Sequence, residues 1–98
     1  MLEQVQPFII IVEFDRKKRR LKVVQTSFNQ STEEFTVFAS NGTLVYSSNR
    51  PHFRRQGIKY RQPIMYIKEG HLKYQSLEVA IAQKIIDHIM LLEKKLRL

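Results

Sequence analysis

Phe35-Thr36-Val37-Phe38-Ala39-Ser40-Asn41-Gly42-Thr43-Leu44-Val45-Tyr46-Ser47 reads as two strands joined by a tight turn. β-Branched and aromatic residues flank an Asn-Gly pair. A type I′ hairpin turn needs positive φ at both central positions, which Asn and Gly tolerate best. The reading places strands over Phe35 to Ser40 and Thr43 to Ser47, with Ala39 opposite Leu44 and Val37 opposite Tyr46. Phe38 and Val45 then point to the other face. If that face is open to water, Phe38 marks a contact patch.

Working outward, Phe8 to Phe14 is a strand with apolar residues on both sides of the pleat. Phe8, Ile10, Val12 and Phe14 share one side, Ile9 and Ile11 the other. Such a run suits a strand covered on two sides. A second strand follows over Arg20 to Thr26. The basic run Arg16-Lys17-Lys18-Arg19-Arg20 therefore falls at the tip joining the two strands. Ser27 to Thr32 is a polar loop.

On the other side of the hairpin, Asn49 to Pro63 contains Pro51, Pro63, Gly57 and a cluster of cations, and reads as a long loop. Strand character returns over Ile64 to Lys68. Glu69-Gly70 resembles a second tight turn, with a short return strand over His71 to Tyr74. Ser76 is suited to cap a helix, because its hydroxyl can accept from a free first-turn N–H. The helix runs from about Leu77 to Leu96. Leu77, Ile81, Ile85, Ile89, Leu92 and Leu96 form its main apolar stripe. Val79, Ala82, Ile86 and Met90 widen it beyond the arc that one sheet needs. Either a strongly curved sheet wraps this helix or a second copy of the chain packs against it. Val79, Ala82, Ile86 and Met90 are thus the candidate interface of a homodimer or of a partner protein.

The order is an α+β plan: an antiparallel meander sheet of about five or six strands, followed by one long C-terminal helix packed on the sheet. Ninety-eight residues fit a single domain spanning 1–98. The strands-then-helix order is similar, in architecture only, to that of small Whirly- and Pur-type single-strand binders; no motif in this chain matches theirs.

Charge is segregated. The chain has 17 Lys and Arg against 9 Asp and Glu, a formal net charge of +8. Between Phe35 and Lys68 there is no carboxylate, yet that stretch carries Arg50, Arg54, Arg55, Lys59, Arg61 and Lys68. A surface built this way attracts polyanions. Within Asn49 to Pro63, Phe53 precedes Arg54-Arg55, and Tyr60 lies between Lys59 and Arg61. Cations interleaved with aromatics suit single-stranded nucleic acid, phosphates meeting Lys and Arg while bases stack on rings. The competing reading has Phe53 and Tyr60 tucked under the loop, pinning it to the sheet. The run Arg16 to Arg20 reads first as a solvated turn whose charges discourage edge pairing, then as a phosphate contact, and last as a nuclear address.

Catalytic and metal chemistry find little support. Cysteine is absent, so disulfides and thiolate metal sites are excluded. His52, His71 and His88 have no ligand spacing between them. Gly42, Gly57 and Gly70 are isolated, and no phosphate-cradling loop precedes the helix. No cofactor is expected, and the chain reads as non-enzymatic. The apolar run Phe8 to Val12 is too short to span a bilayer, and Glu3 sits where a signal peptide needs positive charge. The expected class is a soluble, intracellular, small basic binding module. Its face for single-stranded nucleic acid or another polyanion would comprise Arg16, Lys17, Lys18, Arg19, Arg20, Arg50, Phe53, Arg54, Arg55, Lys59, Tyr60 and Arg61. The alternative is an interaction domain acting through the wide apolar helix.

Overall fold

The computed structural model describes residues 4–40, 42–58 and 61–95. Five strands, β1 (Phe8–Phe14), β2 (Lys17–Phe28), β3 (Glu33–Ala39), β4 (Gly42–Ser48) and β5 (Met65–Glu69), form one antiparallel sheet in the order of the sequence. A short helix, α1 (Arg50–Arg55), interrupts the passage from β4 to β5, and a long helix, α2 (Gln75–Lys95), follows the sheet. The α+β meander with a C-terminal helix is therefore the architecture, with five strands.

The sheet buries one face. Phe8, Val23, Val37 and Leu44 lie side by side across β1 to β4, and Phe35 pairs with Tyr46 in the next inward row. These residues share one core with Ile10, Val12 and the α2 stripe Leu77, Ile81, Ile85 and Ile89. Helical residues four apart stack on one side, so this single stripe covers the sheet. Each such side chain contributes about 1.5–3 kcal/mol on full burial. The Tyr46 hydroxyl reaches the helix and donates to the Glu78 carbonyl oxygen at 2.7 Å. Burial, then the nearby Glu78 charge, raises its pKa well above the usual phenol range. His88 stacks flat on Phe8, with ring centroids 3.8 Å apart. Burial there, then Lys95, pushes its imidazole below the usual value.

Several local expectations change. His71 to Tyr74 form no strand: Gly70 turns the chain at φ 81° and the segment runs into α2. The turn leaves little room, since a Cβ on Gly70 would meet the Thr43 carbonyl oxygen at 2.9 Å. The Leu72 N–H donates to Glu78 Oε2 at 2.6 Å, joining this connection to the first turns of α2. Ser76 is the second residue of α2 rather than its cap. The tip between β1 and β2 is only Asp15-Arg16, at φ 54° and 63°, and Lys17–Arg20 belong to β2. The hairpin pairs Val37 with Leu44 and Ala39 with Gly42, two residues away from the expected register. Asn41, half of the expected turn, lies outside the described residues, as does Leu96. A two-residue shift preserves the side on which each residue points, so Phe38 and Val37 keep their faces. Finally, β1 is covered on one side only: Ile9 and Ile11 are exposed.

Candidate nucleic-acid interface

The uncovered face of the sheet follows from the two-residue period of strands. Since Phe8, Val23 and Val37 point toward α2, their neighbours point away. Ile9, Lys22, Phe38 and Thr43 form one row across β1 to β4, and Ile11 lies beside Arg20. On β2, Lys18, Arg20 and Lys22 occupy alternate positions and are all exposed. Residues two apart on a strand are separated by about 6.6 Å. The result is a line of three cations with apolar side chains on both flanks. Ile9 is 47% exposed, Ile11 49%, Phe38 45% and, farther across the face on β5, Tyr66 57%. Among the described residues, none of the three cations forms an ion pair, although Glu13 is the cross-strand neighbour of Lys18.

The far side of this face is electrostatically different. Lys68 Nζ bonds Glu34 Oε2 at 2.5 Å, and this hydrogen bond raises the pKa of Lys68. Glu69 lies opposite Val45. Cationic character on this face is thus concentrated on β2, where Lys22 lies beside Phe38.

The Asn49–Pro63 segment behaves otherwise. Asn49 closes its base: its N–H donates to the Ile64 carbonyl at 3.3 Å, and its Oδ1 accepts from the Ile64 N–H at 2.8 Å. Pro51 stands in the first turn of α1, where its missing N–H costs nothing. Arg50 is buried and binds Glu33 in a fork, Nε to Oε2 at 2.6 Å and Nη2 to Oε1 at 2.5 Å. Glu33 also accepts from Ser48 Oγ and Gln25 Nε2. Arg54 forks onto Glu93 of α2 at 2.6 and 2.7 Å and donates to the Ile58 and Arg61 carbonyls. Arg50 Nη1 lies 3.5 Å from Glu93, so the two pairs join into one network tying β3, α1 and α2 together.

Of the residues expected to bind a polyanion, Arg50, Arg54 and Phe53 are withdrawn: both arginines are spent on glutamates, and Phe53 is buried. Arg55 is exposed, and Arg61 rests its guanidinium 4.7 Å from the centre of the Phe53 ring. Lys59 and Tyr60 lie outside the described residues. Arg16 sits at the hairpin tip. Strand alternation divides the rest of the basic run, Lys18 and Arg20 facing the open side, Lys17 and Arg19 the side of α2. Of the described cations in the second group, Arg50 and Arg54 are internal, which leaves Arg55 and Arg61 at the surface. Of the expected helix interface, Val79 is exposed, Ala82 and Met90 are half-buried and Ile86 is buried. The α1 segment supplies part of that cover, through Arg54 against Glu93 and Met90 Sδ.

Sequence reading missed Lys22, Ile9, Ile11 and Tyr66 as members of one surface. Carrying the parity of Phe38 across the neighbouring strands finds the first three. It also missed Glu33 and Glu93 as partners, since nothing local pairs residues 17 and 39 positions from their arginines. Among the described residues, no group of three or more His, Asp or Glu is placed to hold a metal ion, and no helix is long and apolar enough to cross a membrane. Comparisons with known protein families, with curated proteins and with solved structures return no match to this chain.

Proposed function

We propose that this chain is a small, non-catalytic basic binding module that takes single-stranded nucleic acid on the open face of its sheet. The observation that carries the reading is the alternation of Lys18, Arg20 and Lys22 along β2, bordered by Ile9 and Ile11 on one side and Phe38 on the other. The cations follow a backbone of phosphates; Phe38 offers a ring on which a base stacks, and the aliphatic side chains cover its neighbours. The net charge of +8 adds long-range attraction.

The test is an anisotropy titration with random single-stranded oligonucleotides. Binding weakens steeply as salt rises, because each neutralised phosphate releases counterions. No binding at low salt retires the proposal.

A second reading is favoured by Val79 and Leu91, which remain 62% and 51% exposed on α2. Here the module meets a second copy or another protein through the helix. Light scattering tests its homodimer form, which requires a dimer that Val79→Asp and Leu91→Asp dissolve; the first reading requires none.

A further inference from the structure

A cleft of about 240 Å³ opens on the opposite side of the sheet, lined by Phe14, Arg19, Leu72, Lys73, Tyr74 and Leu77. Three chain segments build it: the end of the β1–β2 hairpin, the connection after β5 and the first turn of α2. Its walls are mostly hydrocarbon and aromatic. The Phe14 and Tyr74 rings stand 5.1 Å apart, and Lys73 Nζ lies 5.5 Å from the Tyr74 ring. Arg19 is cross-strand to the buried Val12, which places it on the α2 side of the sheet. There it differs from Arg50 and Arg54. Each of those has a glutamate, whereas among the described residues neither Arg19 nor Lys73 forms an ion pair. The combination is an apolar recess with two cations that form no ion pair among the described residues; the Glu78 carboxylate, which touches the lining at Leu72, is engaged by the Leu72 N–H.

We infer that this cleft is a binding site for a small carboxylate with a compact apolar body, such as a medium-chain alkyl or an aryl carboxylate. The guanidinium of Arg19 matches a carboxylate with two parallel N–H···O bonds, and the Lys73 ammonium adds a mobile point charge. The apolar body lies against Phe14, Leu72 and Leu77. The volume is below that of drug-sized sites, which sets the ligand's scale. The site is independent of the open sheet face, since Lys18, Arg20 and Lys22 point to the other side.

The experiment is a titration of the ¹⁵N-labelled full chain with sodium octanoate, below the concentration at which it forms micelles, beside n-octanol as the uncharged control. Saturable shifts are expected at the amides of Phe14, Arg19, Leu72, Lys73, Tyr74 and Leu77, with octanol binding about tenfold more weakly, the scale of one charge-assisted contact. The exposed Arg19→Gln variant keeps its fold and binds octanoate about five- to tenfold more weakly. Equal binding of octanol and octanoate, shifts centred on the open sheet face, or unchanged affinity in Arg19→Gln each overturn the inference. Oligonucleotide binding is read separately and is expected to be the same in this variant and the parent to within about twofold.

Discussion

Two stretches of this chain are rich in arginine and lysine, and they meet opposite fates. Lys17–Arg20 lie in a strand whose alternation displays two cations to each side of the sheet, and none of them is paired among the described residues. In the segment from Arg50 to Arg61, Arg50 and Arg54 turn inward and are matched by Glu33 and Glu93. The lesson is that local charge density does not report available charge. A strand end near a hairpin tip offers its side chains to solvent, whereas a segment folded back over a helix brings arginines within reach of distant carboxylates. Breaking a buried pair leaves an uncompensated charge in a poorly hydrated site, so such pairs are costly to disrupt whatever they contribute when intact.

The largest expected effect attacks the buried side of this contrast. Glu33→Gln strands Arg50 and lowers stability by about 3–5 kcal/mol in urea unfolding. A loss below about 1 kcal/mol would show that the network is hydrated and that the two segments differ less than their geometry implies. The next effect attacks the displayed side. Replacing Lys18, Arg20 and Lys22 together with Gln leaves the urea midpoint nearly unchanged. It reduces the slope of log K against log[salt] by about 2, since each phosphate contact on a single strand contributes roughly 0.7. At 0.1 M salt that is about a hundredfold in affinity. Phe38→Ala sharpens the comparison further. It weakens oligonucleotide binding by about 1–3 kcal/mol through lost stacking, while Arg61→Ala, at the other segment, changes it little.

A smaller effect concerns the tip. Arg16 is held at φ 63°, a left-handed conformation that disfavours a Cβ. Arg16→Gly raises stability by about 0.5–1 kcal/mol, measured by thermal or urea unfolding. The smallest lies outside both segments. The pKa of His88 is lowered on folding by burial and by Lys95. The folded state therefore resists protonation that the unfolded chain accepts at about pH 6.5. This stability is fully present above that pH and is lost as pH falls through the lower folded-state value. His88→Gln flattens the decline below about pH 6.5, compared by urea midpoints at each pH.

Much of the fold was legible before any coordinates, because it rests on short-range rules. The two-residue period of Phe35–Ala39 and the four-residue spacing of Ile81, Ile85 and Ile89 each announce one buried face, and the strands-then-helix order leaves few ways to join them. The errors fell where two local signals compete. His71-Leu72-Lys73-Tyr74 has strand composition, yet Gly70 turns it away from the sheet and the first turns of α2 hold it. Ile9 and Ile11 looked buried because a run of apolar residues does not say how many layers surround it.

By itself, the sequence determined the sheet, the helix, the inward stripe of each and the outward position of Phe38, since propensity and periodicity act over a few residues and survive a two-residue slip in register. Tertiary structure alone decided which cations remain available. Pairing Arg50 with Glu33, and Arg54 with Glu93, depends on where the chain returns after long excursions. An electrostatic partner is selected by distance in space and by burial, neither of which is written in the spacing of charges along the chain.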